Sequence, residues 1–258
     1  MIPKIIHYCW FGKTQLPNNI KNQINEWKQM FPDYEFKEWN EENFDINSNS
    51  YTQQMYEKKK WAFVSDYVRL YALLNYGGFY LDTDVRVLKR FDSLLKYSGV
   101  CGFEENNQLS TAFLACEPHF RIFNRWFDTY KNKEVSNEEP NTIMFTNICR
   151  LYGLKLNNKR QKIEKLEVFP TEYFSPKDYR TNQVNITENT FTVHLFGESW
   201  RTAAEKKIHS REAKLVSKYG WNKGQKIAMV VNSPLKVYNA IKKKGVLGEI
   251  KFILAKYK

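Results

Sequence analysis

The alternation of apolar and polar positions is clearest in residues 61–90, where a helical period gives way to a strand. Apolar residues recur three and four positions apart over 63–74, which predicts a helix with one broad buried face. Gly77 and Gly78 end that period, because glycine takes left-handed backbone angles without a steric cost. The apolar run 79–81 that follows predicts a short buried strand.

The same patterns predict further elements on either side of this stretch. The apolar start of the chain, residues 2–11, predicts a first buried strand that ends near Trp10, and residues 17–30 have the spacing of an amphipathic helix. Later strands are predicted within 34–39, 94–103, 111–116, 168–173 and 190–195. Later helices are predicted at 121–130, at 203–219, and from Asn232 or Ser233 to about Lys244. Helices placed between strands in this way are typical of an α/β fold.

Charged side chains gather where the central helix and strand end. Asp82 and Asp84 follow the predicted strand directly, and ligands of open α/β sheets bind at the carboxyl ends of strands. Two carboxylates this close can hold one hard cation from the same side, so we favour a metal site over a chance Asp-x-Asp. Asp66 and Arg69 share one helix face and can reach the same site, although such pairs also occur as structural ion pairs. His194, where a late strand should end, is either a further ligand or a structural histidine.

Charge divides the chain into two parts. Residues 201–258 hold 15 of the 40 Lys and Arg residues and 3 of the 28 Asp and Glu residues, which leaves 25 of each sign in residues 1–200. The whole net charge of +12 therefore lies in the last part. We expect a main domain at 1–200 and a basic amphipathic helical region at 201–258. That region suits an anionic membrane surface, with a solvated helical cap as the alternative, and its confinement argues against a nucleic-acid surface on the main domain.

Cysteines and hydropathy bear on the compartment. The four cysteines include no Cys-x-x-Cys pair, so neither a zinc site nor a disulfide framework is indicated. There is no leader-like start, and no apolar run approaches 18 residues. We expect a cytoplasmic protein, peripheral on the inner face of the plasma membrane.

Three segments together resemble a known enzyme family. They are IPKIIHYCWFG at the start, SDYVRLYALLNYGGFYLDTDV in the middle and HLFGESW near residue 200. This combination resembles the bacterial glycosyltransferases with an Asp-x-Asp sugar-binding motif, similar to family 32. That group includes enzymes of capsular or surface polysaccharide synthesis, with yeast mannosyltransferases and glucosylating clostridial toxins as distant relatives.

The resemblance covers roughly residues 1–200 and implies both a fold and an activity. The implied fold is the nucleotide-sugar-binding type called GT-A, a mostly parallel sheet flanked by helices. The implied reaction moves a sugar from a nucleotide donor, most simply a UDP-sugar, to a saccharide or lipid-linked saccharide, with retention of configuration. Mn²⁺ or Mg²⁺ is the implied cofactor.

Residue roles also follow from the resemblance. Asp66 and Arg69 would be catalytic and would hold the transferred sugar and its phosphate. The other implied roles are uracil stacking by Trp10, donor binding by Tyr80, ribose and metal binding by Asp82, metal binding by Asp84 and His194, and pyrophosphate contact by Trp200. Many relatives carry an Asn-Thr-Gly-like turn after the Asp-x-Asp strand, whereas this chain has Leu109-Ser110-Thr111-Ala112, which leaves one donor contact unassigned.

Two other classes of function fit part of the pattern. The run Tyr80-Leu81-Asp82-Thr83-Asp84 also fits a haloacid-dehalogenase-type phosphatase, but that family needs this strand near the N-terminus and a later acidic pair. A non-catalytic lipid- or nucleic-acid-binding module would use the basic region alone. The helix with Asp66 and Arg69 has no place in the phosphatase mechanism, and the confinement of charge to the basic region favours a surface tether over a nucleic-acid reader.

Overall fold

A computed structural model of the protein describes residues 1–105, 107–131, 140–179, 181–197, 203–220 and 223–234. The chain divides into two compact units. The first comprises Met1–Lys177 and Val184–Gly197, and the second comprises Asp178–Gln183 and Glu198–Lys258. The division at residue 200 that the charge pattern suggests stays a prediction.

Ten strands and eight α-helices lie within the described residues, and seven of these helices are numbered. The strands are β1 (Ile5–Cys9), β2 (Glu35–Trp39), β3 (Gly78–Leu81), β4 (Val85–Val87), β5 (Gly99–Glu105), β6 (Gln108–Leu109), β7 (Phe113–Cys116), β8 (Gln161–Ile163), β9 (Leu166–Phe169) and β10 (Thr192–His194). The helices are α1 (Asn18–Met30), α2 (Ser50–Glu57), α3 (Trp61–Tyr76), α4 (Arg121–Asp128), α5 (Asn141–Leu151), α6 (Thr171–Phe174) and α7 (Ala203–Tyr219). Residues 223–234 are also helical.

The main sheet has the order β2-β1-β3-β7-β5-β9-β8, with β6 paired to β5. The α/β class with a helix-flanked sheet is confirmed, but the sheet is mixed rather than mostly parallel. Among the described strands, β1 is parallel to β2 and β3, and β5 is parallel to β9. The other pairings in this sheet are antiparallel, because β7 enters between β3 and β5 in the opposite direction and β6 and β8 form hairpins.

Two glycines connect α3 to β3 and bring β3 against β1. Gly77, at φ +64°, donates its N–H to the carbonyl oxygen of Leu73 at 2.8 Å and ends the helix. Gly78 has φ +98°, and a Cβ there would lie 2.5 Å from the carbonyl oxygen of Ile5. Glycine is required at this crossing, because any side chain would push β3 away from β1.

The sheet has an apolar layer on each face. Along β3, Phe79 and Leu81 belong to the cluster that contains α1, whereas Tyr80 faces the cluster that contains α3, α4 and α5. This alternation is the two-residue period of a strand buried on both sides. Tyr80 thereby lies under the helix that carries Asp66 and Arg69.

Buried histidine and cysteine side chains complete the core. His7 on β1 bonds the Gly77 carbonyl through Nε2 at 2.8 Å and receives the Trp39 indole N–H on Nδ1 at 3.2 Å. Burial lowers the pKa of His7 to about 4, so the ring is neutral at pH 7. The four cysteines are free and buried: Cys9 on β1, Cys101 on β5, Cys116 on β7 and Cys149 on α5.

Most predicted elements are present, with some corrections. Helices α2 and α5 are not among the predicted elements, because each borders a polar stretch that is typical of a loop. The predicted helix start at Asn232 or Ser233 is wrong, because residues 223–234 are already helical. The rest of that predicted helix, to Lys244, lies outside the described residues. No helix in the described ranges combines the length and hydropathy needed to span a bilayer.

Candidate active site

Asp82 and Asp84 leave the carboxyl end of β3 in a tight turn. The Asp82 N–H donates to the Ala112 carbonyl oxygen at 2.9 Å, and the Val85 N–H donates to the Asp82 carbonyl oxygen at 3.0 Å. Asp84 is held from the C-terminal side of the unit, since its Oδ2 accepts the Gly197 N–H at 2.6 Å. The backbone therefore fixes the path of the turn, and a backbone N–H also holds the Asp84 carboxylate.

His194 comes to the carboxylates through a small separate sheet. β10 pairs with β4 in antiparallel register with His194 opposite Val85, and the Leu195 N–H donates to the Asp84 carbonyl at 2.9 Å. The strand was predicted to end at the edge of the main sheet, but β10 and β4 form a two-stranded sheet of their own. His194 Nε2 lies 3.5 Å from Asp84 Oδ1.

These three side chains fit a divalent cation. One possible ligand atom from each of Asp82, Asp84 and His194 can be chosen so that all lie within 4.8 Å of one another. Each side chain is partly exposed, at 27%, 28% and 14% respectively, so an ion can reach it. Carboxylate oxygens suit Mn²⁺ and Mg²⁺, and an imidazole nitrogen is a common additional ligand. The grouping of Asp82, Asp84 and His194 therefore matches the metal set implied by the resemblance.

Local charges set the protonation of the cluster. Burial alone raises the pKa of Asp84, but the His194 imidazolium and the Gly197 N–H outweigh it and hold that pKa at about 2. Burial likewise favours neutral His194, yet Asp84 and Glu104 raise its pKa to about 10. Burial raises the pKa of Asp82, against the opposing charge of Arg69. An imidazole must be neutral to bind a metal, so a cation held through His194 would displace the proton that Asp84 and Glu104 favour on the ring.

Arg69 joins the helix α3 to the turn after β3. Its Nη2 lies 2.8 Å from Asp66 Oδ1 and 3.3 Å from Asp82 Oδ1, and its Nη1 donates to the Thr111 carbonyl oxygen at 2.6 Å. The side chain is only 4% exposed, and the carboxylates offset the burial cost and raise the pKa of its guanidinium. The Arg69 guanidinium is thus a fixed positive charge between two carboxylates, and it lies beside the possible metal ligands Asp82, Asp84 and His194.

Tyr80 contacts both Arg69 and Asp82. Its ring centroid lies 4.7 Å from the Arg69 guanidinium carbon, and its hydroxyl donates to Asp82 Oδ1 at 2.9 Å. The side chain is buried, so its contacts orient Arg69 and Asp82. The predicted donor role of Tyr80 stays a prediction.

Asn141 is a member of the site that the sequence pattern does not reveal. Its Nδ2 donates to Asp66 Oδ1, and its Oδ1 accepts the Thr111 hydroxyl at 3.1 Å. It begins α5, 75 residues after Asp66, so only the fold brings the two together. The apolar spacing of α5 was the available signal, since it would have placed a helix start here.

Of the two tryptophans predicted to contact the donor, Trp10 lies among the described residues and Trp200 does not. Trp10 follows β1, which runs parallel to β3, so it lies at the same sheet edge as Asp82. Its indole N–H donates to the Thr14 carbonyl oxygen at 2.8 Å, which fixes the ring at the end of the strand. Uracil stacking by Trp10 stays a prediction. Trp200 lies outside the described residues.

Comparison with known proteins gives relatives that transfer sugars. Over 101 residues the chain is 33% identical to "Inositol phosphoceramide mannosyltransferase 2" of Schizosaccharomyces pombe, covering 38% of this chain and 29% of that protein. Over 100 residues it is 33% identical to "Inositol phosphoceramide mannosyltransferase 3" of the same organism, covering 37% and 28%. The matched part thus spans less than a third of the length of either relative.

A solved glycosyltransferase structure resembles part of this chain. The structure "PaToxG Glycosyltransferase" is 20% identical, with a TM-score of 0.47, and covers 58% of this chain and 68% of that one.

A family model matches the part of the chain that contains the site. The model is described as "Glycosyltransferase sugar-binding region containing DXD motif", and it matches residues 17–100. That range includes α3 with Asp66 and Arg69, the Gly77-Gly78 connection, and the turn after β3. Residues 17–100 therefore resemble a glycosyltransferase sugar-binding region, and Asp82-Thr83-Asp84 has the Asp-x-Asp form of that family's motif.

Proposed function

We propose that the protein transfers a sugar from a nucleotide-sugar donor, UDP-linked, to a saccharide or lipid-linked saccharide acceptor. The observation that carries this proposal is the buried Arg69, which touches Asp66 and Asp82 beside the cluster of Asp82, Asp84 and His194. An isolated structural ion pair would not need a second, partly exposed group of cation ligands next to it. A donor diphosphate needs both kinds of positive charge. As in the GT-A type, this apparatus follows a strand of a helix-flanked sheet.

The residues divide the chemistry between them. The bond between the anomeric carbon and the phosphate oxygen breaks as an acceptor hydroxyl attacks the same face, and the hydroxyl proton passes to the departing phosphate, so configuration is retained. Arg69 stabilises the negative charge that gathers on the leaving diphosphate. Asp66 is held by Arg69 and Asn141, and in this proposal it binds hydroxyls of the transferred sugar. A divalent cation held by Asp82, Asp84 and His194 would supply further electrostatic stabilisation.

The acceptor class is supported by the relatives and by the resemblance. The names of the two fission-yeast relatives describe mannosyl transfer to inositol phosphoceramide, a lipid-borne acceptor. The bacterial resemblance adds capsular or surface polysaccharide synthesis as the setting. A lipid-linked saccharide is an acceptor consistent with both.

A membrane role is proposed for residues 201–258, with the protein peripheral on the cytoplasmic face. The described helical stretch 223–234 exposes Met229 at 66%, Val230 at 73% and Val231 at 45%. Lys223 and Lys226 precede these apolar residues in the same stretch. Exposed apolar side chains flanked by lysines favour contact with an anionic lipid surface.

The proposed activity is tested with a panel of nucleotide sugars. The protein is incubated with Mn²⁺ and each donor, with and without saccharide acceptors, and free nucleotide and glycosylated product are measured. We expect turnover of one or a few donors and loss of it in an Asp84→Asn protein. A wild-type protein inactive on every donor, or an Asp84→Asn protein as active as wild type, would contradict the proposal.

The phosphatase alternative is not supported. That chemistry needs a later pair of acidic residues to complete its metal site, whereas the third described member of this cluster is His194. The buried pair of Arg69 and Asp66 also has no place in it. Hydrolysis of a simple aryl phosphate by the wild-type protein, lost in Asp82→Asn, would restore this alternative.

A further inference from the structure

Glu104 occupies an irregular position in strand β5. In the pairing of β5 with β6, Phe103 lies opposite Leu109 and Glu105 lies opposite Gln108, so Glu104 is the extra residue between two consecutive partners. This is the arrangement of a β-bulge, which turns a side chain away from the direction that a regular strand would give it. Bulges are frequent next to active sites for this reason.

The bulged side chain reaches His194. Glu104 Oε1 lies 3.1 Å from His194 Nδ1, whereas Nε2 of the same ring lies 3.5 Å from Asp84 Oδ1. The two ring nitrogens thus face different carboxylates, one on β5 and one in the turn after β3. A ring held in this way directs Nε2, and not Nδ1, toward the carboxylates of Asp82 and Asp84.

A buried serine fixes the carboxylate in turn. The Ser110 hydroxyl donates to Glu104 Oε1 at 3.3 Å, and Ser110 is fully buried. The Ser110 N–H donates to the Gly102 carbonyl at 2.9 Å, which ties this residue to the strand that carries Glu104. Ser110 lies in the stretch where many relatives carry an Asn-Thr-Gly-like turn, and here its side chain holds the Glu104 carboxylate.

We propose that Glu104 is a positioning residue that accepts the Nδ1–H of His194 and so directs the Nε2 lone pair to a divalent cation shared with Asp82 and Asp84. This inference rests on the proposed function, because it assigns a role toward the metal that the reaction uses. Histidine ligands in proteins commonly donate their second ring N–H to a carboxylate, which orients the ring and makes it a stronger ligand. In this assignment Glu104 acts through the His194 ring and is not itself a metal ligand.

Metal binding without any substrate tests the proposal. The Mn²⁺ affinity of the full chain is measured by electron paramagnetic resonance of free Mn²⁺, with titrations into the millimolar range. We expect Glu104→Leu to weaken binding by about 10- to 100-fold. Glu104→Gln should keep most of the affinity, because its amide oxygen still accepts the Nδ1–H. Thermal unfolding is recorded for each variant to show that it is folded.

Glu167→Leu is the matched control. Glu167 is also a sheet glutamate of low exposure, 13% against 15% for Glu104, and it pairs with Val100 near the other end of β5. Its carboxylate lies 3.5 Å from Arg160 rather than at the cluster. We expect the Glu167→Leu protein to bind Mn²⁺ as wild type does.

A double-mutant cycle separates positioning from general support of the fold. If Glu104 acts through the ring, Glu104→Leu should cause no further loss in a His194→Ala background, where Asp82 and Asp84 still bind Mn²⁺ weakly. An equal loss in both backgrounds, or none in the wild-type background, would overturn the role of Glu104. Wild-type protein that binds no Mn²⁺ would overturn it as well, together with the proposed metal.

Donor turnover on the same preparations keeps the two proposals apart. If wild type and variants show the expected Mn²⁺ affinities but no nucleotide sugar is consumed, the role of Glu104 stands and the proposed function fails. If donors are consumed and the Glu104→Leu protein binds Mn²⁺ normally, the proposed function stands and the role of Glu104 fails.

Discussion

Arg69 and Asp82 lie 3.3 Å apart, measured from the guanidinium Nη2 to the carboxylate Oδ1. The same nitrogen lies 2.8 Å from Asp66 Oδ1, so one buried cation joins a carboxylate on α3 to a carboxylate in the turn after β3. The helix and the turn cannot move apart without breaking a charge pair in a poorly solvated place. The geometry of the DXD motif therefore depends on α3 as much as on β3.

Replacement of Arg69 by lysine should separate geometry from charge. Lysine keeps a positive charge but cannot reach Asp66, Asp82 and the Thr111 carbonyl together, because it lacks the planar fork of arginine. We expect kcat for nucleotide release to fall by about 100-fold or more. Arg86→Lys, at an exposed position of β4, is the control and should be unchanged; equal rates for both variants would remove Arg69 from the mechanism.

Asn141→Ala should impair the reaction through Asp66. It removes an amide that donates to Asp66 Oδ1 and accepts from Thr111, and a hydrogen bond to a charged group is worth about 1.5–3 kcal/mol. We expect kcat/KM to fall by about 10- to 100-fold. Asn75→Ala, on the exposed side of α3, serves as the comparison. Wild-type kinetics for the Asn141→Ala protein would show that Asp66 is held well enough by Arg69 alone.

Metal removal should stop turnover reversibly. A chelator is expected to abolish nucleotide release, and added Mn²⁺ or Mg²⁺ to restore it, because Asp82 and Asp84 provide hard oxygen ligands. Asp84→Asn should leave the cation concentration needed for half-maximal activity far above the wild-type value. Full activity in chelator would be incompatible with a metal-dependent transferase.

Buried His7 makes stability depend on pH. Its pKa is about 4 in the folded protein against 6.5 in the unfolded chain, so the unfolded chain binds a proton first as pH falls. Stability is lost progressively from about pH 6.5 to pH 4, by roughly 3 kcal/mol from this residue. Urea unfolding of wild type and His7→Asn should differ in this pH range by that amount. His119→Asn, an exposed histidine, should follow wild type, and parallel curves for the His7 variant would refute the assignment.

Vesicle sedimentation tests the proposed membrane contact. Met229→Asp with Val230→Asp places charges in an exposed apolar segment, and each lost apolar insertion costs about 1.5–3 kcal/mol. We expect binding to vesicles rich in phosphatidylserine to fall at least tenfold. Ile186→Asp, 56% exposed in the first unit, is the control. If the double variant and the control sediment alike, the apolar segment does not touch lipid.

The local sequence pattern predicted the central helix and strand but not the strand directions of the sheet. The α3 helix, the glycine pair and β3 could be predicted because period, break and apolar run are all encoded within about twenty neighbouring residues. The mixed strand directions of the sheet could not be predicted in this way, because they depend on where β7 inserts. The residues around Asp82 and Asp84 contain no information about that insertion. Antiparallel pairing is decided by packing between segments far apart in sequence.

The outer parts of the site show the same limit. His194 was a candidate because it ends an apolar run, but its neighbours Asp84 and Glu104 lie 110 and 90 residues away. Glu104 carries no local signal, since its direction depends on a bulge in strand register. The apolar spacing of α5 indicates a helix start near Asn141 but not the contact of Asn141 with Asp66, which lies 75 residues away. Side chains that support a site from other elements become visible only in the folded chain.

The four buried thiols can report on local unfolding of the elements that carry them. Burial raises the pKa of each, to about 12 for Cys9, so none is a ready nucleophile in the folded state. They lie on β1, β5, β7 and α5, with one on each element. A thiol reagent added in excess would then label each element only when it opens, and mass spectrometry would resolve the order in which the strands around the DXD turn separate.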